Sequence, residues 1–185
     1  FNAVQVGSTQ VAANTKISNL KEETGDVTTM AVELLDSWPQ HYEGVVTGNN
    51  SGIFPDSIMM TGYYFYVKST VPQKTIRISG LNNTKRYNLV FFGSYPFAQV
   101  TSFTAGGQTT SLNVTGNSTK TAQINSLVPN QGVIDVVVKA AINDYAVINA
   151  LVVQEYDNTV FLPPFGLNTT SSRSSVSLSW KCNAT

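Results

Sequence analysis

The sequence predicts an all-β fold, a sandwich or a barrel, because short strand-like stretches follow one another with turns between them. Stretches rich in Val, Ile, Thr and aromatic residues recur with Gly, Asn or Pro between them, at the ~8–12-residue spacing typical of sandwiches and barrels. No amphipathic helical stretch of normal length interrupts them. A chain of 185 residues can hold one well-packed domain and part of a second.

The strands of the first half are indicated by their side-chain pattern. Residues 27–35 alternate apolar and polar side chains, which favours a strand, with a short helix over 30–37 as the rival interpretation. Residues 36–56 contain repeated Gly, Asn and Pro and predict a long irregular loop. Residues 58–68 are aromatic and strand-like, and residues 74–79 alternate regularly.

The second half contains the most apolar strand, predicted over residues 86–94. Its Leu-Val-Phe-Phe run at 89–92 is apolar on both faces, which predicts a central position in a two-layer sandwich. Residues 80–83 predict a turn, and we expect the Tyr87 hydroxyl to bond to the backbone at this corner. Further short strands are predicted at 100–104, 109–114, 120–125, 133–140 and 145–156.

The composition excludes several classes of function. Only 12% of residues are charged, with 11 Lys plus Arg and 11 Asp plus Glu, so the formal net charge is zero. Nucleic-acid binding is not expected, since it requires a basic face. No apolar run approaches the ~20 residues that span a bilayer, so membrane insertion is not expected either. The single Cys182 cannot form an internal disulfide, and we expect it to be a small buried strand residue.

Four stretches together resemble a galactose-binding-like, malectin-like jelly-roll module of Bacteroidetes secreted and surface proteins. In that family one strand ends in an FFGS-like stretch and the last strand carries a YxxxNAL-like stretch. The resemblance implies a jelly-roll β-sandwich that binds carbohydrate. Family members often carry an Arg soon after FFGS, whereas this chain has Tyr95-Pro96-Phe97 there. Any ligand contact made by that Arg is therefore absent in this chain. The stretches are TGNNSGIFPDSIM (47–59), IRISGLNNTKRYNLVFFGS (76–94), TAGGQTTSLNVTGNSTKTAQINSLVPNQGVIDVVV (104–138) and YAVINALVVQEY (145–156).

The C-terminal stretch LPPFGLNTTSSRSSVSLSW (162–180) resembles the opening of a fibronectin type III domain, including its Trp-bearing strand. The expected organisation is a galactose-binding-like sandwich over 1–157, a linker over 158–162 and an incomplete fibronectin type III domain over 163–185. This order implies an extracellular or cell-surface protein in which neighbouring domains of the same chain are partners.

Catalytic motifs are missing from the sequence. His41 is the only histidine, no GxSxG stretch presents a serine, and the acids are scattered rather than paired. One histidine and one cysteine are too few for a zinc site. We therefore predict no enzyme and no cofactor. A structural calcium ion stays open, although an exposed turn explains the densest acidic cluster equally well: Glu22, Glu23 and Asp26.

Aromatic and polar residues in three predicted loops indicate a sugar site, because sugars stack on flat rings while amides and carboxylates bind their hydroxyls. The alternative is that Trp38 and Tyr42 plug the open end of the sandwich. This alternative is equally supported for Trp38, and we expect Phe97 to be such a plug. The aromatic run 63–66 is expected to be strand packing rather than a platform. The candidate ligand-binding residues are Trp38, His41, Tyr42, Tyr95, Asn143, Asp144 and Tyr145.

The function predicted from these observations is a non-catalytic carbohydrate-binding accessory module whose partner is a glycan or polysaccharide. The alternative is a structural spacer or adhesin module with no small ligand.

Overall fold

The computed structural model describes residues 2–3, 10–66, 72–142, 144–158, 165–171 and 176–181, the last two ranges by their backbone alone. Strands dominate the described residues, with one short helix among them. The elements in chain order are β1 (Gln10–Val11), β2 (Thr15–Ile17), β3 (Ala31–Leu34), β4 (Trp38–His41), α1 (Asp56–Met60), β5 (Gly62–Tyr66), β6 (Gln73–Ser79), β7 (Lys85–Phe92), β8 (Val100–Ala105), β9 (Gln108–Asn113), β10 (Ala122–Leu127), β11 (Val133–Ile142), β12 (Tyr145–Ile148), β13 (Ala150–Asp157), β14 (Phe165–Ser171) and β15 (Val176–Lys181).

The strands before β14 form two antiparallel layers around one core. The larger sheet has the order β2-β3-β6-β11-β8-β9. The opposite layer consists of the sheets β1-β4-β5-β12 and β10-β7-β13, which meet where Asn149 alone separates β12 from β13. Buried side chains from both layers form a single hydrophobic cluster. The predicted all-β class is confirmed, and the architecture is a jelly-roll β-sandwich.

The central position predicted for the apolar strand is confirmed, since β7 lies between β10 and β13. Phe91 is fully buried and stacks on Phe103 of β8, with the ring centroids 4.2 Å and the planes 3° apart. Phe92, on the opposite side of the strand, is also fully buried, because the ring of Phe54 lies 5.1 Å from it. Because other side chains pack on both faces of β7, the Leu-Val-Phe-Phe run contains no polar residue.

The turn before β7 is fixed by one glycine and one tyrosine. Gly80 has φ +76°, and a Cβ atom there would lie 2.0 Å from the Thr29 carbonyl oxygen, so a side chain is excluded. The Tyr87 hydroxyl accepts the backbone N–H of Asn82 at 2.8 Å and donates to Glu155 Oε2 at 2.6 Å. Burial, followed by the bond to Glu155, raises the pKa of Tyr87 to about 12. The predicted tyrosine corner is confirmed.

Two stretches of the first half differ from their predictions. The stretch predicted as a loop over 36–56 contains β4, which pairs with β1 and β5. The stretch predicted as a strand from residue 58 begins instead with α1, because Pro55 fixes φ at −55° and Asp56 places a negative charge in the first helical turn. The strand interpretation of 27–35 is confirmed by β3, and the rival helix is wrong.

The C-terminal strands β14 and β15 form an antiparallel pair in which Asn168 lies opposite Ser179. A two-stranded unit cannot bury a core by itself. Cys182 and residues 159–162 of the predicted linker lie outside the described residues. The fibronectin type III assignment and the domain boundaries stay predictions.

Replacing Phe91 with Ala is expected to lower the free energy of unfolding by about 3–5 kcal/mol, because it leaves a cavity opposite Phe103. Urea denaturation followed by fluorescence measures this loss. Phe97→Ala is the matched control, since Phe97 is 63% exposed and its truncation should change stability by less than about 0.5 kcal/mol. Equal losses in the two variants would contradict the assigned core.

Candidate functional site

Two of the cavities on the described surface of the sandwich differ in their lining. One, of about 490 Å³, has no aromatic ring in its lining, and its charged residues Arg77 and Asp135 bind each other through two contacts of 2.8 Å. The other has a volume of about 370 Å³ and contains four tyrosines; we call it the tyrosine pocket. Its lining residues are Gln40, His41, Tyr42, Glu43, Tyr64, Tyr95 and Tyr145.

Strand pairing places two walls of the tyrosine pocket. In β5 the side chains alternate, so Phe65 enters the core while Tyr64 and Tyr66 lie on the opposite face. The register of β5 with β12 sets Tyr66 opposite Tyr145. The Tyr145 ring therefore lies 5.9 Å from the Tyr64 ring and 5.1 Å from the Tyr66 ring.

Tyr95 and His41 form the inner part of the pocket. Two hydrogen bonds fix the backbone of Tyr95. Its carbonyl accepts the N–H of Gly116, and its N–H donates to the Val114 carbonyl. Its ring contacts His41 edge-on at 5.4 Å and Tyr145 at 6.1 Å. Burial, and next the negative charge of Glu43, raise the pKa of Tyr95. The Glu43 carboxylate is therefore close enough to act on the Tyr95 hydroxyl.

His41 is a buried, neutral residue of this cluster. Only 5% of it is exposed, and burial lowers its pKa from 6.5 to about 4. Its Nδ1 accepts the backbone N–H of Glu43 at 3.4 Å, which assigns the proton to Nε2. Nε2 finds no hydrogen-bond partner among the described residues. The ring packs on Gly62, where a Cβ atom would lie 2.6 Å from Nε2.

One side-chain amide joins the segments that carry the pocket. Asn149 Nδ2 donates to the carbonyls of Met59 at 2.7 Å and Thr61 at 2.9 Å, next to β5. Its Oδ1 accepts the backbone N–H of Ser94 at 2.8 Å, next to Tyr95. The Ser94 hydroxyl in turn accepts the N–H of Val45 at 2.9 Å, and this hydrogen bond fixes the segment after β4.

The structure brings together four of the seven residues predicted for the site: His41, Tyr42, Tyr95 and Tyr145. Tyr42 lies at the rim, 49% exposed, with its hydroxyl donating to Gln40 Oε1 at 3.2 Å. Asp144 is half-buried beside Tyr145 but does not line the pocket. Asn143 lies outside the described residues.

The prediction that Trp38 binds ligand is wrong. Trp38 is fully buried and packs edge-on against Phe65 at 5.4 Å and Tyr63 at 6.2 Å. The physical reason is β4: once Trp38 belongs to a strand, its side chain enters the core instead of an open loop. The Lys74 ammonium group lies 5.6 Å from the Trp38 ring and further encloses it.

Sequence reasoning missed three lining residues, Gln40, Glu43 and Tyr64. Tyr64 belongs to the run expected to be strand packing, and it does pack, partly buried, against the core cluster, but it also lines the pocket. Alternation shows that the run has two faces, but only the pairing with β12 shows which face meets another tyrosine. Phe97, expected to be a plug, is instead 63% exposed and lies edge-on to Tyr95 at 5.6 Å.

The described lining of the tyrosine pocket contains a single carboxyl group. Glycoside hydrolysis uses two facing carboxyl groups, and Glu43 is the only acid in this lining. Within the part of the chain that the structure describes, no three His, Cys, Asp or Glu side chains are grouped so that they could hold a metal ion. None of the helices described there has the length and apolarity to cross a membrane.

Comparisons with known proteins give similarity at the level of solved structures. No family model and no curated protein matches the chain. The chain is similar to TmCBM61 in complex with β-1,4-galactotriose, at 14% identity over 68% of this chain and 82% of that one, with a TM-score of 0.35. It is similar to Xyl-CBM35 in complex with a glucuronic acid containing disaccharide, at 20% identity over 65% and 84%, with a TM-score of 0.33.

A third similar structure is the CBM22-1–GH10 modules of Clostridium thermocellum xylanase 10B complexed with xylohexaose. The identity is 9% over 68% of this chain and 26% of that one, with a TM-score of 0.36. At these identities and TM-scores, the basis for a function is the tyrosine pocket of the chain itself.

Replacing Asn149 with Asp is expected to destabilise the protein by about 1–3 kcal/mol. The change keeps the shape but replaces two N–H donors with an oxygen that faces the carbonyls of Met59 and Thr61. Chemical denaturation measures the loss. Asn113→Asp, in the edge strand β9, is the control and should have little effect. An unchanged unfolding midpoint in Asn149→Asp would show that this amide does not hold the segments together.

The buried imidazole of His41 predicts a pH dependence of stability. The unfolded chain takes up a proton on His41 near pH 6.5, whereas the folded chain does so only near pH 4. The contribution of His41 to stability should therefore be constant above about pH 6.5 and fall by roughly 3 kcal/mol as the pH drops to 4. Since the chain has one histidine, an NMR titration of its ring measures the pKa directly.

The control is His41→Asn, whose stability should lack the part of the pH dependence that lies between 6.5 and 4. Comparing the two proteins removes the contribution of the carboxyl groups, which both share. A ring that titrates near pH 6.5 in the folded protein would contradict the burial of His41.

Proposed function

We propose that this chain is a non-catalytic carbohydrate-binding module that holds a sugar unit in the tyrosine pocket. The observation that carries the proposal is the convergence of four tyrosines from separate segments around one cavity of about 370 Å³. Binding pockets for small molecules combine apolar, aromatic walls with a few fixed polar groups. Sugars fit such a lining because their C–H faces are apolar and their edges carry hydroxyls.

Each part of the lining has a role in this binding mode. Tyr64 and Tyr145 offer ring surface in the walls, and the exposed Tyr42 closes the rim. The Gln40 amide and the Glu43 carboxylate supply acceptors for sugar hydroxyls. Contacts among Tyr64, Tyr95 and Tyr145 already restrain these rings, so that binding costs less side-chain entropy.

The proposed setting is an accessory module of a secreted or cell-surface multidomain protein. The low content of charged residues, the hydroxyl-rich strands and the resemblance of residues 163–185 to a fibronectin type III opening support this setting. In such a protein the module would bring a neighbouring domain of the same chain to a glycan.

A structural spacer or adhesin module without a small ligand is the second candidate. It is favoured by the burial of part of the cluster, because His41 and Tyr95 are only 5% and 7% exposed and pack on each other. In that case the tyrosines would only close one part of the sandwich. Binding of any glycan at this pocket discriminates between the two candidates.

The test is a glycan array on the full chain, followed by titration of Tyr42→Ala and Tyr145→Ala with the glycan that binds. Affinity should fall about ten- to hundredfold in each, by analogy with the loss of a base-stacking ring. Tyr156→Ala is the matched control, because Tyr156 is a 37% exposed tyrosine of β13 outside the pocket lining.

Melting temperatures of all three variants separate loss of binding from loss of fold. An array without any bound glycan would favour the spacer. A bound glycan with unchanged affinity in Tyr42→Ala and Tyr145→Ala would place the site elsewhere on the module.

A further inference from the structure

The described lining of the tyrosine pocket contains a negative charge and no positive charge. Among the lining residues that the structure describes, Glu43 is the only charged side chain, and neither Lys nor Arg is present. His41 is uncharged at neutral pH, because burial lowers its pKa to about 4. The pocket therefore offers a negative charge and no positive one, whereas the chain as a whole has a formal net charge of zero.

The rings in the pocket lining are tilted against one another rather than coplanar. Tyr64 and Tyr145 are tilted by 46°, Tyr95 and Tyr145 by 39°, and His41 stands at 89° to Tyr95. Neighbouring ring centroids lie 5.4 to 6.1 Å apart, so these rings pack on one another, and a ligand meets their accessible surfaces rather than a space between them. The π-face of each tyrosine carries a partial negative charge.

Tilted aromatic walls with one carboxylate match the chemistry that recognises a cation. A cation within about 6 Å of an aromatic face is attracted by its quadrupole, and several such faces form the cages that bind quaternary ammonium groups. Glu43 adds a negative charge at the same place, since its side chain belongs to the lining of this pocket. The larger cavity offers a contrast, because there Arg77 and Asp135 neutralise each other.

We propose that the sugar unit in the tyrosine pocket carries a protonated amine, so that the ligand is an amino-sugar polymer rather than a neutral or uronic acid glycan. This inference rests on the proposed carbohydrate-binding function and assigns the ligand's charge. The ammonium group lies in the pocket against the accessible surface of Tyr64 and Tyr145, beside Glu43, while a uronate in the same place would meet Glu43 with like charge.

The experiment compares three β-1,4-linked hexamers in calorimetric titrations of the full chain: glucosamine, N-acetylglucosamine and glucose. The pH is chosen so that the free amine is protonated. We expect glucosamine to bind about tenfold more tightly than its acetylated form, because acetylation removes the charge and keeps the polymer. The preference should shrink as salt is raised from about 0.01 M to 1 M, since the pocket is open to solvent.

Three variants locate the effect. Glu43→Gln keeps the size of the side chain and the backbone N–H bond to His41, and it should lower the preference for glucosamine to about twofold. Glu23→Gln removes an equal charge from the exposed turn between β2 and β3, and it should leave the preference unchanged. Tyr145→Ala should weaken all binding hexamers.

The outcomes separate this inference from the proposed function. Equal or tighter binding of the acetylated or glucose hexamer, or tyrosine-dependent binding of a uronic acid polymer, overturns the inference and leaves the carbohydrate-binding function intact. Glucosamine binding that survives both Glu43→Gln and Tyr145→Ala overturns it as well, because the cation then binds elsewhere. Failure of every glycan to bind overturns both.

Discussion

The hydrogen bonds of Asn149 hold together the part of the molecule on which the candidate site depends. Its side chain connects the end of α1 and the start of β5 to the segment that follows β7, and its backbone N–H donates to the Phe92 carbonyl at 2.8 Å. The residue lies at the point where one strand leaves β5 and joins β7. Two sheets thereby meet in one layer, and Tyr95, which follows β7, comes to lie 6.1 Å from the ring of Tyr145 in β12.

Two stretches that stand out in the sequence meet at Asn149. The FFGS stretch contains Phe92 and Ser94, and the YxxxNAL stretch contains Tyr145 and Asn149. Asn149 joins the two stretches through hydrogen bonds with the Phe92 carbonyl and the Ser94 backbone N–H. Gly93 lies between Phe92 and Ser94, where a Cβ atom would come within 2.9 Å of the Val147 carbonyl oxygen. The two stretches are therefore the two sides of one contact.

Charge is distributed differently on the two sides of the sandwich. On the larger sheet, strand pairing sets Lys16 opposite Glu33, Glu33 opposite Arg77, and Arg77 opposite Asp135. Opposite charges across neighbouring strands stabilise the sheet modestly and leave little net field. In the tyrosine pocket, Glu43 is the only charged residue of the described lining, so no cation of that lining neutralises its charge.

The sequence by itself determined the fold class, the central position of β7 and the tyrosine corner at Tyr87, because these follow from local patterns of two to eight residues. It also identified His41, Tyr42, Tyr95 and Tyr145 as candidates, through their positions beside predicted strands. Only the tertiary structure decided that Trp38 is core and that Tyr64 and Glu43 line the pocket. The reason is that a side chain's surroundings depend on which strands pair and in what register, and these contacts join residues far apart in the chain.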